Sequence, residues 1–476
     1  MIKKPILVVD LDGTLVRTDM LFETAFVYAR LNPFKLIQML YWLFSGGKVF
    51  LKKKLFEKIN FDVTTLPYND EVLELISSKK NEGYYIVLAT ATYITLANEI
   101  ADFLGIFDEV YASSGLINLS SSNKKELLLD KYGEFAFEYM GNSMDDLPVW
   151  EVSSKAYIVN PNYGVFKKAS TSCLEFELMT KSSSKVKTWV KALRIHQWAK
   201  NGLIFLPLLA AHKMLDLNLL ISASIAFILF GICASSVYLL NDLLDLNADR
   251  QHKTKRNRPF ASGKISIIKG VVVFPLLLLT SFICSFLFLP IGFFAVLSVY
   301  YLLTLGYSLF LKRYIAVDVI TLALLYCIRI VAGAASVGLA LTSWILAFSM
   351  FIFLSLALVK RYAELNEARR QGKQGKALGR GYFPEDLELI SSLGSSSGYL
   401  SVLVLALYIQ DLSYSSLYEN TQIMWLACPI MLFWITRIWI LTHRGEMHDD
   451  PVVFAIKDKV SIVTVLLFGL IFWFAL

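Results

Sequence analysis

The second half of this chain constrains its fold most, because residues 198–476 consist largely of apolar runs of the length that crosses a bilayer. Residues 1–190, in contrast, have the mixed composition of a water-soluble domain. Hydrophobic residues make up 56% of the 476 residues and charged residues only 18%, which a water-soluble chain of this length rarely reaches. The sequence therefore predicts two modules, the second of which is an all-α polytopic membrane bundle.

Nine apolar runs are candidate transmembrane helices, with a range of eight to ten because two are short. They lie near residues 199–212, 217–241, 270–289, 291–310, 315–338, 343–359, 398–410, 422–441 and 460–476. Lysine and arginine concentrate in the loops after the second, fourth, sixth and eighth runs. Because such loops stay in the cytoplasm, we expect the soluble module there too. The net charge of +7 is attributed to this bias, and no nucleic-acid partner is expected.

A run of acidic and amide residues stands where the second apolar run ends, and it comprises Asn241, Asp242, Asp245 and Asp249. Such side chains at the mouth of a membrane helix are costly unless they bind cations. The spacing of the three aspartates places them on one face of a helix. Carboxylate oxygens are the ligands that Mg²⁺ prefers. The sequence therefore predicts a site for Mg²⁺ and a pyrophosphate group here.

The soluble module opens with an apolar strand that ends in Asp10 and Asp12, before Gly13. Carboxylates at the C-terminal end of a strand are typical of a doubly wound α/β sheet, where ligands bind. A second strand then ends at Thr90, Lys124 opens a helix, and an acidic segment spans residues 139–146. In this order the four segments resemble the motifs of the haloacid dehalogenase superfamily.

The resemblance implies a phosphatase. Asp10 would be the nucleophile that accepts a phosphoryl group, and Asp12 would protonate the leaving oxygen. Thr90 and Lys124 would bind the phosphate.

The same resemblance implies a Mg²⁺ site formed by Asp10, Asp12, Asn142 and Asp146. Superfamily members usually have aspartate where Asn142 stands, so this site has one charge fewer. Either Asn142 binds the metal through its carbonyl oxygen, or Asp145 compensates.

A helical cap is predicted at about residues 20–80, between the first two motifs. It contains the apolar stretch 36–44 and then Lys48, Lys52, Lys53 and Lys54. Two interpretations are open. The cap lies on the bilayer surface and admits a lipid-borne phosphate, or it has an ordinary apolar core with a solvated lysine face. The phosphatase module is predicted at residues 1–166, and a linker rich in Ser, Thr and Lys follows at 167–190.

The membrane module, residues 191–476, resembles the UbiA superfamily of intramembrane prenyltransferases. The resemblance rests on the run from Asn241 to Arg250 and on the basic segment after it, which contains Arg256 and Arg258. It implies that Asp242 and Asp245 are catalytic, and that Asp242, Asp245 and Asp249 bind Mg²⁺. It also implies that Asn241, Arg256 and Arg258 contact the substrate.

Most aromatic prenyltransferases of this superfamily have a second aspartate-rich motif. Here that region contains Tyr307, Lys312 and a single Asp318, with Arg329 inside the next apolar run. This departure weakens the aromatic interpretation.

Further basic residues lie at the ends of other apolar runs. Lys360, Arg361 and Glu364 end one run, and Lys200 stands at the entrance to the first. Together with Tyr307 and Lys312 these residues resemble the phosphoribosyltransferase branch, which uses polyprenyl phosphate as acceptor. Its donor carries a diphosphate and a 5-phosphate, so it needs Mg²⁺ at one end and several cations at the other.

The sequence thus predicts a bifunctional, Mg²⁺-dependent enzyme of the bacterial cytoplasmic membrane. It would transfer 5-phosphoribosyl from phosphoribosyl pyrophosphate to a polyprenyl phosphate, and the phosphatase module would then remove the 5-phosphate, as for a cell wall precursor. The alternative is an aromatic prenyltransferase that uses a prenyl diphosphate and has a regulatory or inactive N-terminal module. Chain length of the lipid and oligomeric state are not predicted.

Overall fold

The computed structural model describes residues 4–31, 35–59, 61–114, 117–161, 163–179, 184–252, 254–372, 375, 380–411, 418, 420–447 and 450–475. Parts of the predicted cap (32–34 and 60) and linker (180–183) lie outside these ranges. The chain forms two compact units: Met1–Leu193 with Leu239–Val273, and Arg194–Tyr238 with Phe274–Leu476. The first unit therefore includes the acidic run as well as the soluble module.

The first unit is built on six parallel strands in the order β3-β2-β1-β4-β5-β6. In β1, Leu7 and Val9 belong to one apolar core and Val8 belongs to another. Successive residues of a strand point to opposite faces, so both faces of the sheet are covered. This confirms the predicted doubly wound α/β fold. The strands are β1 Ile6–Val9, β2 Tyr85–Tyr93, β3 Glu109–Ser113, β4 Glu138–Gly141, β5 Lys155–Val159 and β6 Phe176–Met179.

The helices of the soluble module connect these strands. They are α1 Met20–Leu31, α2 Lys35–Lys58, α3 Asp70–Asn81, α4 Ile94–Leu104, α5 Ser121–Tyr132, α6 Leu147–Trp150, α7 Tyr163–Ser172 and α8 Lys185–Ala192, with 3-10 turns at Val63–Thr65 and Met144–Asp146.

Helices α1 and α2 form the predicted cap. They pack together through a small core of Tyr28, Trp42, Leu51 and Leu55. The ordinary-core interpretation is wrong for most of the apolar stretch, because five of its large side chains are exposed: Leu36, Ile37, Leu40, Tyr41 and Phe44. Helix α2 is kinked, since Gly47 has a φ of 70° and a ψ of −169°, a conformation that glycine adopts at little cost.

The rest of the chain is almost entirely helical. It comprises α9 Leu206–Ala210, α10 Leu217–Leu244, α11 Leu246–Gln251, α12 Ile267–Phe288, α13 Ile291–Leu309, α14 Val317–Val337, α15 Ser343–Arg370, α16 Leu387–Gln410, α17 Thr421–Met424, α18 Ala427–Arg444, α19 Pro451–Lys457 and α20 Lys459–Ala475. Short 3-10 segments occur at Ile195–Phe205, Lys255–Asn257, Leu311–Arg313 and Pro384–Asp386.

Within the described residues, seven helices are long and apolar enough to cross a membrane. The count rises to eight if the pair α19 and α20, bent by 83°, is one span. This confirms a multi-pass bundle but corrects the expected number of nine. The difference arises at residues 199–212, where the chain folds as a 3-10 segment followed by the short α9. The spanning candidates are Leu217–Leu244, Ile267–Phe288, Ile291–Leu309, Val317–Val337, Ser343–Arg370, Pro384–Gln410 and Thr421–Arg444.

Helix α14 is the most buried of the seven candidate spans, since 67% of its most apolar 18-residue stretch is buried. It carries Asp318 and Arg329, both buried. Charged side chains are costly against lipid and tolerable against protein partners, so these residues identify the interior side of the bundle.

Candidate active sites

The C-terminal edge of the sheet brings together the residues predicted for the soluble module. Asp10 follows β1, Asn142 follows β4, and Thr90 lies in β2. The backbone N–H of Asp10 donates to the carbonyl of Met140 at 2.9 Å, which holds the first and fourth motifs side by side. Asp10, Thr90 and Lys124 are all buried.

A chain of hydrogen bonds joins Asp10 to Asp146. Lys124 Nζ donates to Asp10 Oδ1 at 2.7 Å and to the Tyr139 hydroxyl at 2.8 Å, and that hydroxyl donates to Asp146 Oδ1 at 2.7 Å. Asp146 Oδ2 accepts from the backbone N–H groups of Asn142 and Ser143, at 3.0 and 2.9 Å. Asp146 thus orders the loop and the lysine. The sequence did not single out Tyr139, which is an interior strand residue with no motif signal of its own.

Asp12 is held in place by two donors. The backbone N–H of Met20 donates to Oδ1 at 2.7 Å, and the Thr92 hydroxyl donates to Oδ2 at 2.8 Å. Burial, reinforced by Asp19, raises the pKa of Asp12 to about 6. A carboxyl group that is partly protonated near neutrality suits the role of a proton donor.

Burial also raises the pKa of Asp10, to about 7, although Lys124 opposes this rise. A nucleophilic carboxylate must be ionised, and a divalent cation at this site would favour the ionised form. Lys124 and a divalent cation would both favour the ionised form of Asp10, against the effect of burial.

Asn142 is the residue whose environment fits a metal ion best. Its Oδ1 atom is buried and has no hydrogen-bond partner in the described part of the chain. Its side chain lies against the loop after Asp10, because a Cβ atom on Gly13, whose φ is +79°, would be 2.1 Å from Asn142 Nδ2. Asp145 is exposed. Of the two alternatives, the arrangement favours a metal ligand in the carbonyl oxygen of Asn142 over compensation by Asp145. No group of three or more His, Cys, Asp or Glu residues suited to a metal occurs in the described ranges.

The cap contributes Lys52, which the sequence showed only as part of a basic cluster. Its Nζ donates to the carbonyl of Ala91 at 2.5 Å, one residue beyond Thr90. Burial lowers the pKa of Lys52, while Asp12 and Asp19 oppose that effect. With Thr24, Phe56 and Thr92, this lysine lines a small cavity at the junction of cap and sheet.

The acidic run lies where α10 ends and α11 begins, with Asp245 between the two helices. The break brings Asp242 and Asp249 to one cation, because Arg258 Nη1 donates to Asp242 Oδ1 at 3.2 Å and to Asp249 Oδ2 at 2.6 Å. Both carboxylates are 3% exposed. Two buried carboxylates that converge on one positive charge form a donor set that also fits Mg²⁺.

The other predicted residues of this segment are less enclosed. Asn241 and Asp245 are half-buried, and Arg256 is exposed. Next to Asp249, Arg250 is buried and forms a bidentate ion pair with Glu23 of α1, at 2.6 and 3.1 Å.

In the second unit, Lys200 and Lys360 converge on Asp450. Their Nζ atoms donate to Asp450 Oδ2 at 2.7 and 3.2 Å, and the Tyr326 hydroxyl donates to Oδ1 at 2.9 Å. Burial alone would raise the pKa of Asp450, but Lys360 and Lys200 hold it below its usual range. Sequence reasoning missed Asp450, because it caps the short helix α19 and belongs to no recognised motif.

Asp318 is fully buried and paired with two arginines. Arg361 Nη2 lies 2.7 Å from Asp318 Oδ2, and Arg380 Nη1 lies 2.9 Å from Oδ1. The Tyr307 hydroxyl donates to Oδ1 at 2.8 Å, and Glu364 pairs closely with Arg361. Three of the residues predicted to bind substrate, Tyr307, Arg361 and Glu364, thus lie together around Asp318. Arg380 was missed, and Lys312 lies half-buried in the turn Leu311–Arg313.

Arg329 lies inside an apolar run, where a charged side chain is costly without a partner, and Asn201 is such a partner. Its Nε donates to Asn201 Oδ1 at 3.1 Å, and its guanidinium lies 5.3–5.6 Å from the ring centres of Phe230, Tyr300 and Tyr326. An amide and aromatic faces stabilise a buried guanidinium, so a structural role accounts for this residue.

Residues 203–474 match the UbiA prenyltransferase family, and residues 7–151 match haloacid dehalogenase-like hydrolases. The chain belongs to the UbiA prenyltransferase family and carries an N-terminal haloacid dehalogenase-like domain. It is therefore a multi-pass membrane enzyme of the prenyltransferase class. Both families generally use Mg²⁺.

Three relatives are similar over different parts of the chain. Uncharacterized protein y4nM of Sinorhizobium fredii is 38% identical over 457 residues, which cover 96% of this chain and 88% of that protein. Nodulation protein NoeC of Azorhizobium caulinodans is 35% identical over 289 residues, 60% of this chain and 92% of that protein. Decaprenyl-phosphate phosphoribosyltransferase of Mycobacterium tuberculosis is 30% identical over 276 residues, 57% of this chain and 88% of that protein.

We expect Thr92→Val to move the alkaline limb of phosphate-ester hydrolysis to higher pH. The hydroxyl of Thr92 stabilises the ionised form of Asp12, so its loss raises the pKa of Asp12 further. Activity that needs protonated Asp12 is lost as pH rises through the pKa of Asp12. In the variant this loss would occur at higher pH. A pH–rate profile with p-nitrophenyl phosphate measures the shift. Thr171→Val, at an exposed site, is the control, and an unmoved limb in Thr92→Val would contradict this role of Asp12.

We expect Asp450→Asn to destabilise the protein, because it leaves the buried Lys200 beside the half-buried Lys360 without their carboxylate. Removing one partner of a buried ion pair costs about 3–5 kcal/mol, which would lower the apparent Tm in detergent by several degrees. Glu388→Gln, an exposed change, should leave Tm unaltered. Adding Lys200→Met to Asp450→Asn should restore part of the loss. If Asp450→Asn has the same Tm as the unsubstituted protein, the cluster is not a stabilising ion pair.

Proposed function

We propose that this chain transfers 5-phosphoribosyl from phosphoribosyl pyrophosphate to a polyprenyl phosphate and then removes the 5-phosphate. The observation that carries the proposal is the pairing of Asp318 with Arg361 and Arg380. Where aromatic prenyltransferases of this superfamily have a second acidic motif, this chain has a carboxylate already neutralised by two arginines. The 30% identity to a decaprenyl-phosphate phosphoribosyltransferase supports the same branch.

In the transfer step, Asp242, Asp245 and Asp249 would hold Mg²⁺, which supplies charge neutralisation for the departing pyrophosphate. The bond from the ribosyl C1 carbon to pyrophosphate breaks, and C1 passes through an oxocarbenium-like state. A phosphate oxygen of the polyprenyl phosphate forms the new bond to C1. The acceptor is already an anion, so no strong general base is required.

The cationic residues of the second unit would serve the phosphate groups of the two substrates. Lys312, Lys360 and Arg361 are proposed to bind the donor, and Lys200 to bind the lipid phosphate, because charge-assisted bonds to phosphate are strong. Tyr307 and Glu364 would complete the substrate contacts, together with Asn241, Arg256 and Arg258 of the acidic segment.

The product of transfer still carries a phosphate monoester at the ribosyl 5-position, which is the group that the N-terminal domain would hydrolyse. Asp10 would attack the phosphorus atom, Lys124 and Thr90 would bind the phosphate oxygens, and Asp12 would protonate the departing 5-oxygen. Water would then attack the phosphorus atom of the aspartyl phosphate, which releases inorganic phosphate and restores Asp10. Asn142, beside Asp10 and Asp12, would complete the Mg²⁺ site. Fusion of the two activities keeps a water-insoluble intermediate at high effective concentration near its second site.

The proposed location is the bacterial cytoplasmic membrane, with the N-terminal domain and the acidic segment on the cytoplasmic side. The support is the concentration of lysine and arginine in alternate loops of the membrane module. Phosphoribosyl pyrophosphate is a water-soluble anion, so a cytoplasmic site is the one that it can reach.

We expect Asp242→Asn and Asp245→Asn each to abolish labelled lipid formation while hydrolysis of p-nitrophenyl phosphate continues. Loss of one carboxylate weakens the Mg²⁺ site but leaves the hydrolase edge of the sheet intact. The assay supplies detergent-purified protein with Mg²⁺, labelled phosphoribosyl pyrophosphate and a polyprenyl phosphate, and separates the extracted lipids. Glu385→Gln is the control at an exposed acid. Normal transfer by both aspartate variants would remove the acidic run from the mechanism.

We expect Asp10→Asn to accumulate the phosphorylated ribosyl lipid, whereas the unsubstituted protein yields the dephosphorylated one. The substitution keeps the shape of the side chain but removes the attacking charge, so the rate of transfer should not change. Lipid extracts resolved by mass spectrometry distinguish the two products. Asp130→Asn, at an exposed position of α5, should behave as the unsubstituted protein does. The same phosphorylated lipid from all three proteins would show that the domain does not hydrolyse this product.

A further inference from the structure

The first half of α2 leaves an apolar stripe uncovered. Its members are 50–85% exposed, and they follow one another at alternating intervals of one and three residues, which places them along one side of a helix. The stripe consists of Leu36, Ile37, Leu40, Tyr41 and Phe44. The other side of the same helical half is packed, since Trp42 is buried and its ring centre lies 5.3 Å from that of Tyr28. The helix is therefore anchored to the domain with its apolar stripe facing outward.

The charges within the stretch that carries the stripe are all of one sign. From Lys35 to Lys54 the chain contains no acidic residue, and it carries five lysines: Lys35, Lys48, Lys52, Lys53 and Lys54. Glu57, beyond this stretch, forms ion pairs with Lys53 and Lys54. Lys48 is exposed, and 45% of the Lys53 side chain is accessible. An exposed apolar stripe with a basic border complements a bilayer surface, where acyl chains take the apolar groups and anionic headgroups attract the lysines.

The kink at Gly47 links this stripe to the hydrolase site. Beyond the kink, the second half of α2 runs back to the domain and packs through Leu51 and Leu55. Lys52 on this half donates to the carbonyl of Ala91, beside Thr92, the residue that binds Asp12. One helix thus presents apolar side chains at one end and a cation to the catalytic edge at the other.

We propose that the first half of α2 lies in the headgroup region of the bilayer and presents the hydrolase site to phosphate monoesters carried on lipids. The occupant is the membrane itself, because the described part of the chain contains seven or eight candidate spans and a bilayer is always within reach. Large exposed apolar patches mark interaction surfaces, and the basic border selects lipid. The identity of the monoester rests on the proposed function, whereas the membrane contact does not.

The contact is tested by the depth of a fluorophore. Full-length protein with Cys173→Ser and Cys284→Ser carries a single bimane label at Phe44→Cys, or at Leu174→Cys as an exposed control outside the stripe. Both are reconstituted in nanodiscs that contain anionic lipid. Lipids with a bromine on the acyl chain should quench the label at position 44 and not that at 174, and iodide in the water should do the reverse. Equal iodide quenching at both sites overturns the proposal, and so does protection of position 44 from both quenchers, which indicates a protein partner.

The consequence for catalysis is tested by Leu40→Asp combined with Phe44→Asp. Burial of the Leu40 and Phe44 side chains in an apolar phase would contribute strongly to membrane binding, and the two aspartates remove this contribution. The value of kcat/KM for the phosphorylated ribosyl lipid should therefore fall at least about tenfold in nanodiscs. Hydrolysis of p-nitrophenyl phosphate should stay unchanged, and Leu174→Asp should change neither. Unchanged lipid turnover by the double variant overturns the proposal. If the unsubstituted protein hydrolyses p-nitrophenyl phosphate but not this lipid, the proposed substrate is wrong, and the quenching experiment alone decides the membrane contact.

Discussion

The first unit depends on the buried ion pair between Arg250 and Glu23. Both side chains are at most 3% exposed, and two hydrogen bonds join the guanidinium to the carboxylate. Arg250 also donates to the carbonyl of Ala261 at 3.2 Å, so it closes the loop that follows the acidic run. Removing one partner of such a pair costs about 3–5 kcal/mol, because the other charge stays buried without compensation. The conformation of the acidic segment is therefore stabilised by a helix of the hydrolase domain.

Each residue of this ion pair lies close in sequence to a residue of a candidate site. Glu23 lies on α1 three residues after Met20, whose N–H binds Asp12, and Arg250 directly follows Asp249, whose carboxylate binds Arg258. The helix whose first N–H binds Asp12 is thus joined by an ion pair to the residue that follows Asp249.

The sequence predicted the features that follow from local rules. Parallel strands bring their C-terminal ends to one edge, so the convergence of Asp10 and Lys124, 114 residues apart, could be expected from motif order alone. Glu23 and Asp450 could not, because the bonds from Arg250 to Glu23 and from Lys200 to Asp450 join residues more than 200 positions apart, and neither acid lies in a pattern of its own. The number of spans was too high for a related reason. The run at 199–212 is apolar in composition, but it begins with Lys200 and Asn201, whose buried contacts favour a short 3-10 segment.

The positive and negative side chains of the second unit are unevenly balanced. Around Asp318, two arginines are balanced by Asp318 itself and by Glu364. Around Asp450, two lysines meet one carboxylate, and Arg329 has a neutral amide as its polar partner. Among the described residues, these groups carry more positive than negative charge, and Lys200, Arg329 and Arg361 are buried. Under the proposed function, a phosphate group of the substrate would offset part of that excess, and the attraction would contribute to its affinity.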